Sequence, residues 1–453
     1  MRPDESANDR LSIRGTGCCV LLAALVFTWP VVGTIALRHL LLGGLLVLLL
    51  TDRAVRIRIV GVLRDRATPV ILLLLLTGWI VIHNFTLSQY PAYSRDEFRG
   101  QWLKPLLIFG IGMLLAARVR TEPALLAAIL AAIKWALAFQ IVVVLGDLCY
   151  LWWRDIHLSH GIVRLTGTRT SISYTVLLML SIMAGDWLRN TPPGTLAMPA
   201  RRMLLDGAIV VTALWCLVLI GSRYGIVLSL ALLTAVAAVI SYRQVRRGSA
   251  RRALLLLALA ACATTVALYG AARFDPRWER MAESAALVFA PGHENDWRLL
   301  SDAQPPRFDD GSPVESSAFL RVARFRAGLD LIAERPLGWG FGRSAMEHIV
   351  QMRHQAVGIA SDSGLVDFTL ALGVPGTALW LAFMGSMLNT GWRARSDAKS
   401  VAPLLLVIVV TIFMVRFVID INTRDHMLEL FLLLCGMLGG ATVTAAPTLA
   451  GRR

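Results

Sequence analysis

Arginine is the residue type in this sequence whose placement most clearly indicates chemistry. Arg223 lies in the short segment Gly221-Ser222-Arg223-Tyr224-Gly225, between two strongly apolar stretches. A charged side chain held close to membrane depth is costly and is usually functional. Guanidinium groups bind phosphate oxygens through two parallel hydrogen bonds, so this arginine indicates phosphate or diphosphate binding. The alternative is an arginine that ends a helix and extends its side chain to the membrane surface.

A second group of arginines follows in the longest polar part of the chain. Arg321 and Arg324 are three residues apart and therefore lie on one face of a predicted helix, which Gly328 extends. This spacing predicts a phosphate clamp that faces the membrane, whereas the alternative is an amphipathic helix lying among lipid headgroups. Arg164 and Arg169 are further candidates for the same anion.

Candidate proton acceptors lie near the predicted ends of the apolar segments. His348 and His354 follow a glycine-rich stretch, and a histidine can act as a general base. Asp362, Asp367, Asp420 and Asp425 are equally plausible bases by position. The sequence alone does not choose between these imidazole and carboxylate groups.

The composition indicates a membrane protein, so transmembrane helices are expected to position these residues. The chain has 453 residues, of which 56% are hydrophobic and 17% charged, and its mean hydropathy is +0.63. These values exclude a soluble globular protein and predict an all-α polytopic membrane protein with about twelve transmembrane helices. The predicted spans are approximately 17–36, 38–51, 68–84, 104–118, 122–149, 170–188, 203–221, 225–241, 253–271, 364–389, 401–419 and 426–445.

The distribution of positive charge predicts the orientation of these spans. One set of connections is rich in arginine, for example 53–66, 118–120 and 243–252. Short loops of this kind stay in the cytoplasm, so both termini are expected there and the long polar stretch is expected in the periplasm. This accounts for a net charge of +15 without a nucleic-acid partner.

The predicted organisation has three parts. Residues 1–271 carry transmembrane helices 1–9, residues 272–363 form a large helical periplasmic loop, and residues 364–453 carry helices 10–12 and a cytoplasmic tail. Inside the loop, helices are predicted from Ser316 to Glu334 and from Ser344 to about His354, with a glycine-rich turn between them.

Several familiar site types have no support in the sequence. There is no P-loop, no dinucleotide fingerprint, no HExxH and no GxSxG, and the six cysteines show no zinc-ligand spacing. No cofactor and no metal are therefore expected.

Taken together, these features resemble the O-antigen ligase and polymerase superfamily. The residues that carry the resemblance are Ser222-Arg223, Arg321 with Phe325, and Pro336-Leu337-Gly338-Trp339-Gly340, within a layout of about twelve spans and a large loop before the tenth.

The resemblance implies an inverting, metal-independent glycosyltransferase of the bacterial inner membrane. It implies transfer of a glycan from undecaprenyl diphosphate to an acceptor glycan or lipid A-core at the periplasmic face. By motif, Arg223 and Arg321 would hold the diphosphate leaving group, with Arg324, Arg164 and Arg169 as second choices.

One departure from the family pattern bears on the base. Ligases of this family typically carry a His-Asn pair just before the tenth span, where this chain has Ser361-Asp362-Ser363. Either Asp362 or His354 is then the base, or the protein is a polymerase, which is slightly favoured. There are two alternatives to an enzyme. One is a flippase or transporter of lipid-linked sugar, which a long loop placed late in the chain and the lack of repeated halves disfavour. The other is a noncatalytic assembly partner, for which arginine substitutions would be silent.

Overall fold

The computed structural model describes residues 11–154, 162–163, 167–190, 200–246, 248–274, 278–292, 306–308, 310–354, 359–395, 400–423 and 425–442. Within these ranges the chain forms seventeen α-helices, one π-helical turn and one small sheet. The helices are α1 (Ile13–Thr28), α2 (Ile35–Leu50), α3 (Arg53–Asp65), α4 (Ala67–Thr86), α5 (Pro91–Phe98), α6 (Lys104–Val119), α7 (Ala124–Trp153), α8 (Arg169–Asn190), α9 (Ala200–Leu219), α10 (Arg223–Val245), α11 (Ala250–Phe274), α12 (Met281–Leu287), α13 (Ser316–Glu334), α14 (Ala345–His354), α15 (Gly364–Ala394), α16 (Ala402–Ile419) and α17 (Asp425–Ala441). The π-helical turn is Arg99–Leu103, and β1 (Ile162–Val163) pairs antiparallel with β2 (Gly167–Thr168).

The prediction of an all-α polytopic membrane protein is confirmed. Among the described residues, nine helical segments are long and apolar enough to cross a bilayer, and the pair α2 and α3 would add a tenth if it counts as one span. The apolar helices α1 and α17 are shorter, at 16 and 17 residues. A helix needs about 20 residues to cross the hydrocarbon core at 1.5 Å per residue, so these two helices reach across most of it.

Two stretches are more helical than the predicted spans indicate. Residues 53–65 were expected in a connection but form α3, which is bent by 93° from α2. Asp52 caps α3 by accepting a hydrogen bond from the backbone N–H of Ala54 at 2.9 Å. The predicted span 104–118 also begins earlier, since α5, the π-helical turn and α6 form one apolar segment over Pro91–Val119.

Helices α6 and α17 pack against each other in close contact. Gly112 and Gly436 face each other there, and a side-chain carbon on Gly112 would collide with the backbone carbonyl of Leu433. Small residues allow membrane helices to approach to backbone contact, which strengthens dispersion between them. Near the start of both helices, Lys104 forms an ion pair with Glu429 at 2.8 Å.

Helix α15 is broken at Gly373, which has φ +71° and ψ −179°, and Pro375 follows two residues later. The break leaves backbone N–H and C=O groups of α15 without partners inside the helix. The glycine-rich turn forms hydrogen bonds with these groups. The N–H groups of Trp339 and Gly340 donate to the carbonyls of Leu370 (2.7 Å) and Ala371 (3.2 Å), while Val374 donates to the carbonyl of Pro336 (2.8 Å). The turn that the sequence predicts is therefore hydrogen-bonded to the break of the following helix.

The two helices predicted in the long loop, α13 and α14, are present and pack on α15. Gly328 of α13 lies against Val366, so that a larger residue there would require Val366 to shift. The buried carboxylate of Asp367 accepts hydrogen bonds from the N–H groups of Ala345 and Met346, both at 3.1 Å. Asp367 thus caps α14, which gives it a structural role.

Candidate functional site

Three helix N-termini converge on one cavity of about 440 Å³. Its lining includes the first residues of α8 and α10 and the first turns of α13. The first N–H groups of a helix have no partner inside the helix, and the helix dipole places partial positive charge there. Such ends bind anions, and three of them around one cavity favour an anion with several oxygens.

Three arginines line this cavity, one from each helix. Arg169 begins α8, Arg223 begins α10, and Arg321 lies one turn into α13. The sequence places Arg321 nearly 100 positions after Arg223, and the fold brings them to one cavity. Three guanidinium groups and three helix ends bring positive charge to this cavity, and the carboxylate of Glu315, which pairs with Arg223, offsets part of it.

Tyr224 lines the same cavity, and its aromatic ring lies between two arginines. The ring contacts the guanidinium of Arg321 at 5.8 Å and that of Arg416 at 5.5 Å. Its hydroxyl donates a hydrogen bond to Oγ1 of Thr170 (3.1 Å) and accepts one from Oγ of Ser173 (3.1 Å). Hydrogen bonds therefore fix a ring that can orient Arg321 by a cation–π interaction.

Arg416 supports the cavity from inside the bundle. Its side chain is fully buried in α16, and it donates to Oδ2 of Asp420 at 2.5 Å and to the carbonyl of Thr170 at 3.3 Å. A second ring, that of Tyr174, lies 5.2 Å from its guanidinium. A buried arginine is stable only with such compensation, and here its contacts hold two cavity residues, Thr170 and Tyr224.

Arg324 lies about one helical turn beyond Arg321 on α13, and Asp362, in the loop before α15, pairs with it. Nη1 of Arg324 is 3.3 Å from Oδ2 of Asp362, whose side chain is 37% exposed. Asp362 has a φ of +56°, which is rare outside glycine. Two residues later, the N–H of Gly364 donates to the carbonyl of Asp420 at 3.0 Å. Helix α13 and the Arg416–Asp420 pair therefore contact both the loop that contains Asp362 and the residues of the arginine cavity.

The structure thus brings together most of the site residues predicted from the sequence. Arg169, Arg223 and Arg321 line the cavity, and Arg324 lies next to it with Asp362. Arg164 and the side chain of His354 lie outside the described residues. Tyr224 was not predicted as a site residue, although its position directly after Arg223 in a tight turn was a usable signal.

A second unpredicted residue is Glu315, which forms an ion pair with Arg223 at 2.8 Å. Glu315 is also the N-cap residue of α13 and accepts a hydrogen bond from the N–H of Ala318 at 2.6 Å. A single polar residue before a helix signals a cap, but its contact with Arg223 depends on tertiary structure.

His348 belongs to an aromatic cluster instead of the cavity lining. Its ring stacks on Tyr93 with centroids 3.8 Å apart and meets the edge of Tyr90 at 4.6 Å. Burial lowers the pKa of His348 from its ordinary value of 6.5. Packing between α5 and α14 accounts for this histidine.

A larger cavity, of about 550 Å³, lies between α2, α3, α4 and α6. Apart from His39 and Lys104 its lining is apolar, and Lys104 is already paired with Glu429. It offers no arrangement of donors for a charged phosphate. Within the described ranges, no group of three or more His, Cys, Asp or Glu residues could hold a metal ion.

Part of the chain is similar to a known protein family. Residues 208–381 match the model of the O-antigen ligase family. The matched segment runs from α9 through α10, α13 and α14 to the broken helix α15, and it contains Arg223, Arg321 and Asp362. No curated protein matches the chain. The family match covers less than half of the chain, and it supports the resemblance to the O-antigen ligase and polymerase superfamily that the sequence motifs indicate.

Proposed function

We propose that the protein is a glycosyltransferase of the bacterial inner membrane that moves a glycan from undecaprenyl diphosphate to an acceptor saccharide. The observation that carries the proposal is the cavity at which Arg169, Arg223 and Arg321 meet at three helix N-termini. A polysaccharide polymerase is slightly favoured over a lipid A-core ligase because Asp362 stands where ligases typically carry histidine.

The proposed reaction exchanges one bond to the anomeric carbon for another. An acceptor hydroxyl oxygen bonds to this carbon as the bond to the diphosphate oxygen breaks. The hydroxyl proton passes to a base, and undecaprenyl diphosphate leaves with the bonding electron pair. Attack on the face opposite the leaving group inverts the anomeric configuration, and no metal ion is required in this proposal.

The arginines act on the leaving group in this scheme. Negative charge grows on the diphosphate as its bond to the sugar breaks, and preorganised cations stabilise that charge most when water is excluded. Removing one such group from an oxyanion site typically costs about 10²–10³ in turnover. Arg223 and Arg321 are assigned this role, with Arg169 as a third ligand.

Asp362 is the proposed base for the acceptor hydroxyl. Its ion pair with Arg324 places it about one helical turn beyond Arg321 in the direction of the α13 axis. A base must lie beside the sugar and not among the phosphates, and this offset supports the assignment of Asp362. His354 is the alternative base on sequence grounds.

The proposed orientation places the cavity in the periplasm. Arginine-rich connections, including 53–66 and 243–252, lie at the opposite ends of the spans from the cavity. By the positive-inside rule those connections and both termini are cytoplasmic. The donor would then be bound where its diphosphate lies at the outer membrane surface.

The test uses purified full-length protein in liposomes that contain a lipid-linked saccharide and an acceptor. We expect glycan transfer by the wild type, and Arg223→Ala and Arg321→Ala should lower turnover by about 10²-fold or more. Arg326→Ala is the matched control on α13, because Arg326 contacts the carbonyl of Val288 and does not line the cavity.

Full transfer activity in correctly inserted Arg223→Ala and Arg321→Ala proteins would contradict the proposal. Equilibration of the lipid-linked saccharide across the bilayer, without any transfer, would instead indicate a flippase.

A further inference from the structure

Glu315 forms an ion pair with Arg223, one of the arginines assigned to the diphosphate. Its Oε1 lies 2.8 Å from Nη2 of Arg223, and the two side chains are only 7% and 14% exposed. The second oxygen, Oε2, accepts the N–H of Ala318 at 2.6 Å, and the N–H of Glu315 donates to Oγ of Ser284 at 2.9 Å. The carboxylate is therefore fixed at the cavity edge by α13 itself.

A fixed carboxylate at this place has two opposite effects on a bound diphosphate. It holds Arg223 at the cavity, which lowers the conformational cost of binding an anion. It also adds a negative charge that repels the anion, and in a partly buried site this repulsion is weakly screened. A binding site without such a carboxylate would hold both donor and leaving group more tightly.

We propose that Glu315 is a positioning residue that aligns Arg223 and limits the affinity of the cavity for diphosphate, so that the lipid diphosphate product leaves after transfer. This inference depends on the function proposed above. Tight binding of the donor and of the product to the same arginines would otherwise lower turnover, because only interactions that are stronger in the transition state speed the reaction. The negative charge of Glu315 weakens binding of the lipid diphosphate product and so favours its release.

The test compares Glu315→Gln with the wild type in pyrophosphate binding. Glutamine removes the charge but retains a side-chain oxygen that can accept the N–H of Ala318. Inorganic pyrophosphate is titrated by calorimetry onto the full-length protein in nanodiscs, and transfer is measured on the same samples. We expect pyrophosphate to bind about tenfold more tightly to Glu315→Gln, with a lower donor KM and a lower kcat.

Glu334→Gln is the matched control. Glu334 ends the same helix and also pairs with an arginine, Arg353, at 2.9 Å, but it lies at the end of α13 away from the cavity. This variant should bind pyrophosphate as the wild type does. Tighter binding cannot result from general damage to the fold, which separates positioning from a purely structural role.

Glu315→Asp provides a second variant, because aspartate is a good cap but is one methylene shorter and so recedes from Arg223. It should change pyrophosphate affinity in the same direction and by less. Unchanged or weaker binding by folded Glu315→Gln, with normal binding by the wild type, would overturn the inference alone. Failure of the wild type to bind pyrophosphate would overturn the proposed function and this inference with it.

Discussion

At the scale of single residues, Tyr224 connects the charges of the candidate site. Its ring lies between Arg321 and the buried Arg416, and its hydroxyl is held by Thr170 and Ser173. The neutral ring of Tyr224 thereby orients Arg321, and the guanidinium N–H groups of Arg321 stay available to bind an anion. The cation–π contact of a partly buried arginine contributes about 1–2 kcal/mol.

Two substitutions of Tyr224 distinguish the contribution of its ring from the contribution of its hydroxyl group. Tyr224→Phe keeps both cation–π contacts and should raise the donor KM by less than about threefold. Tyr224→Leu removes them and should raise the donor KM by about tenfold, since 1.4 kcal/mol corresponds to a factor of ten. Steady-state transfer kinetics distinguish the two, and equal KM values for both variants would show that the ring does not orient Arg321.

Asp362 can be tested as a base without disturbing its backbone. Asparagine tolerates the positive φ that this position requires, so Asp362→Asn removes the charge at little cost in strain. We expect kcat to fall by about 10²–10⁴-fold with an almost unchanged donor KM. His354→Gln is the parallel variant for the alternative base, and retention of activity in Asp362→Asn together with its loss in His354→Gln would reassign the role.

The sequence could predict the arginines because each carries charge where the surrounding residues are apolar or where helical spacing places it on one face. It could not predict the ion pair of Glu315 with Arg223, because 92 residues separate the two in the chain. It also could not separate Asp367 from Asp362, although the structure shows that Asp367 caps α14.

At the scale of the elements, the break in α15 joins the loop helices to the transmembrane bundle. Three backbone hydrogen bonds connect the segment 336–340 to residues 370–374, and Nε1 of Trp79 donates to the carbonyl of Leu372 at 2.8 Å. The break thus fixes the start of α15, which follows Asp362, relative to α13, which carries Arg321.

Gly373→Ala tests this connection. Alanine at a φ of +71° is strained, and its methyl group would collide with the backbone of Leu337, so we expect a loss of about 3 kcal/mol or more in stability. Thermal unfolding in detergent should show a clearly lower melting temperature. Gly385→Ala is the control in the same helix, because its added carbon meets open space and should leave the melting temperature unchanged or raise it. Equal melting temperatures for the two variants would contradict the described packing.

Helix type and approximate position were predictable from hydropathy, as were the two loop helices and the turn between them. The helical character of 53–65 was obscured by its arginines, since α3 has an apolar face too narrow to raise its mean hydropathy. The break in α15 was not predicted, since 364–389 was expected to be one span, although Gly373 and Pro375 were a usable signal for it. Its partner segment could be identified only from the fold.

At the scale of the whole molecule, the proposed chemistry requires the arginine cavity to face the periplasm. The exposed Asp310 lies in the loop before α13, whereas Arg53 begins α3 near the opposite ends of the spans. In a variant without native cysteines, Asp310→Cys should react with a membrane-impermeant maleimide on intact spheroplasts, and Arg53→Cys should react only after the membrane is opened. The reverse pattern would place the cavity in the cytoplasm and exclude the proposed donor orientation.

We propose that Arg169, Arg223 and Arg321 hold the diphosphate of the lipid carrier. Cryo-electron microscopy of the full-length protein in nanodiscs with undecaprenyl diphosphate tests it most directly. We expect diphosphate density inside the cavity formed by the N-termini of α8, α10 and α13, within hydrogen-bonding distance of Arg223 and Arg321. Diphosphate density bound elsewhere on the protein, with this cavity empty, would contradict it.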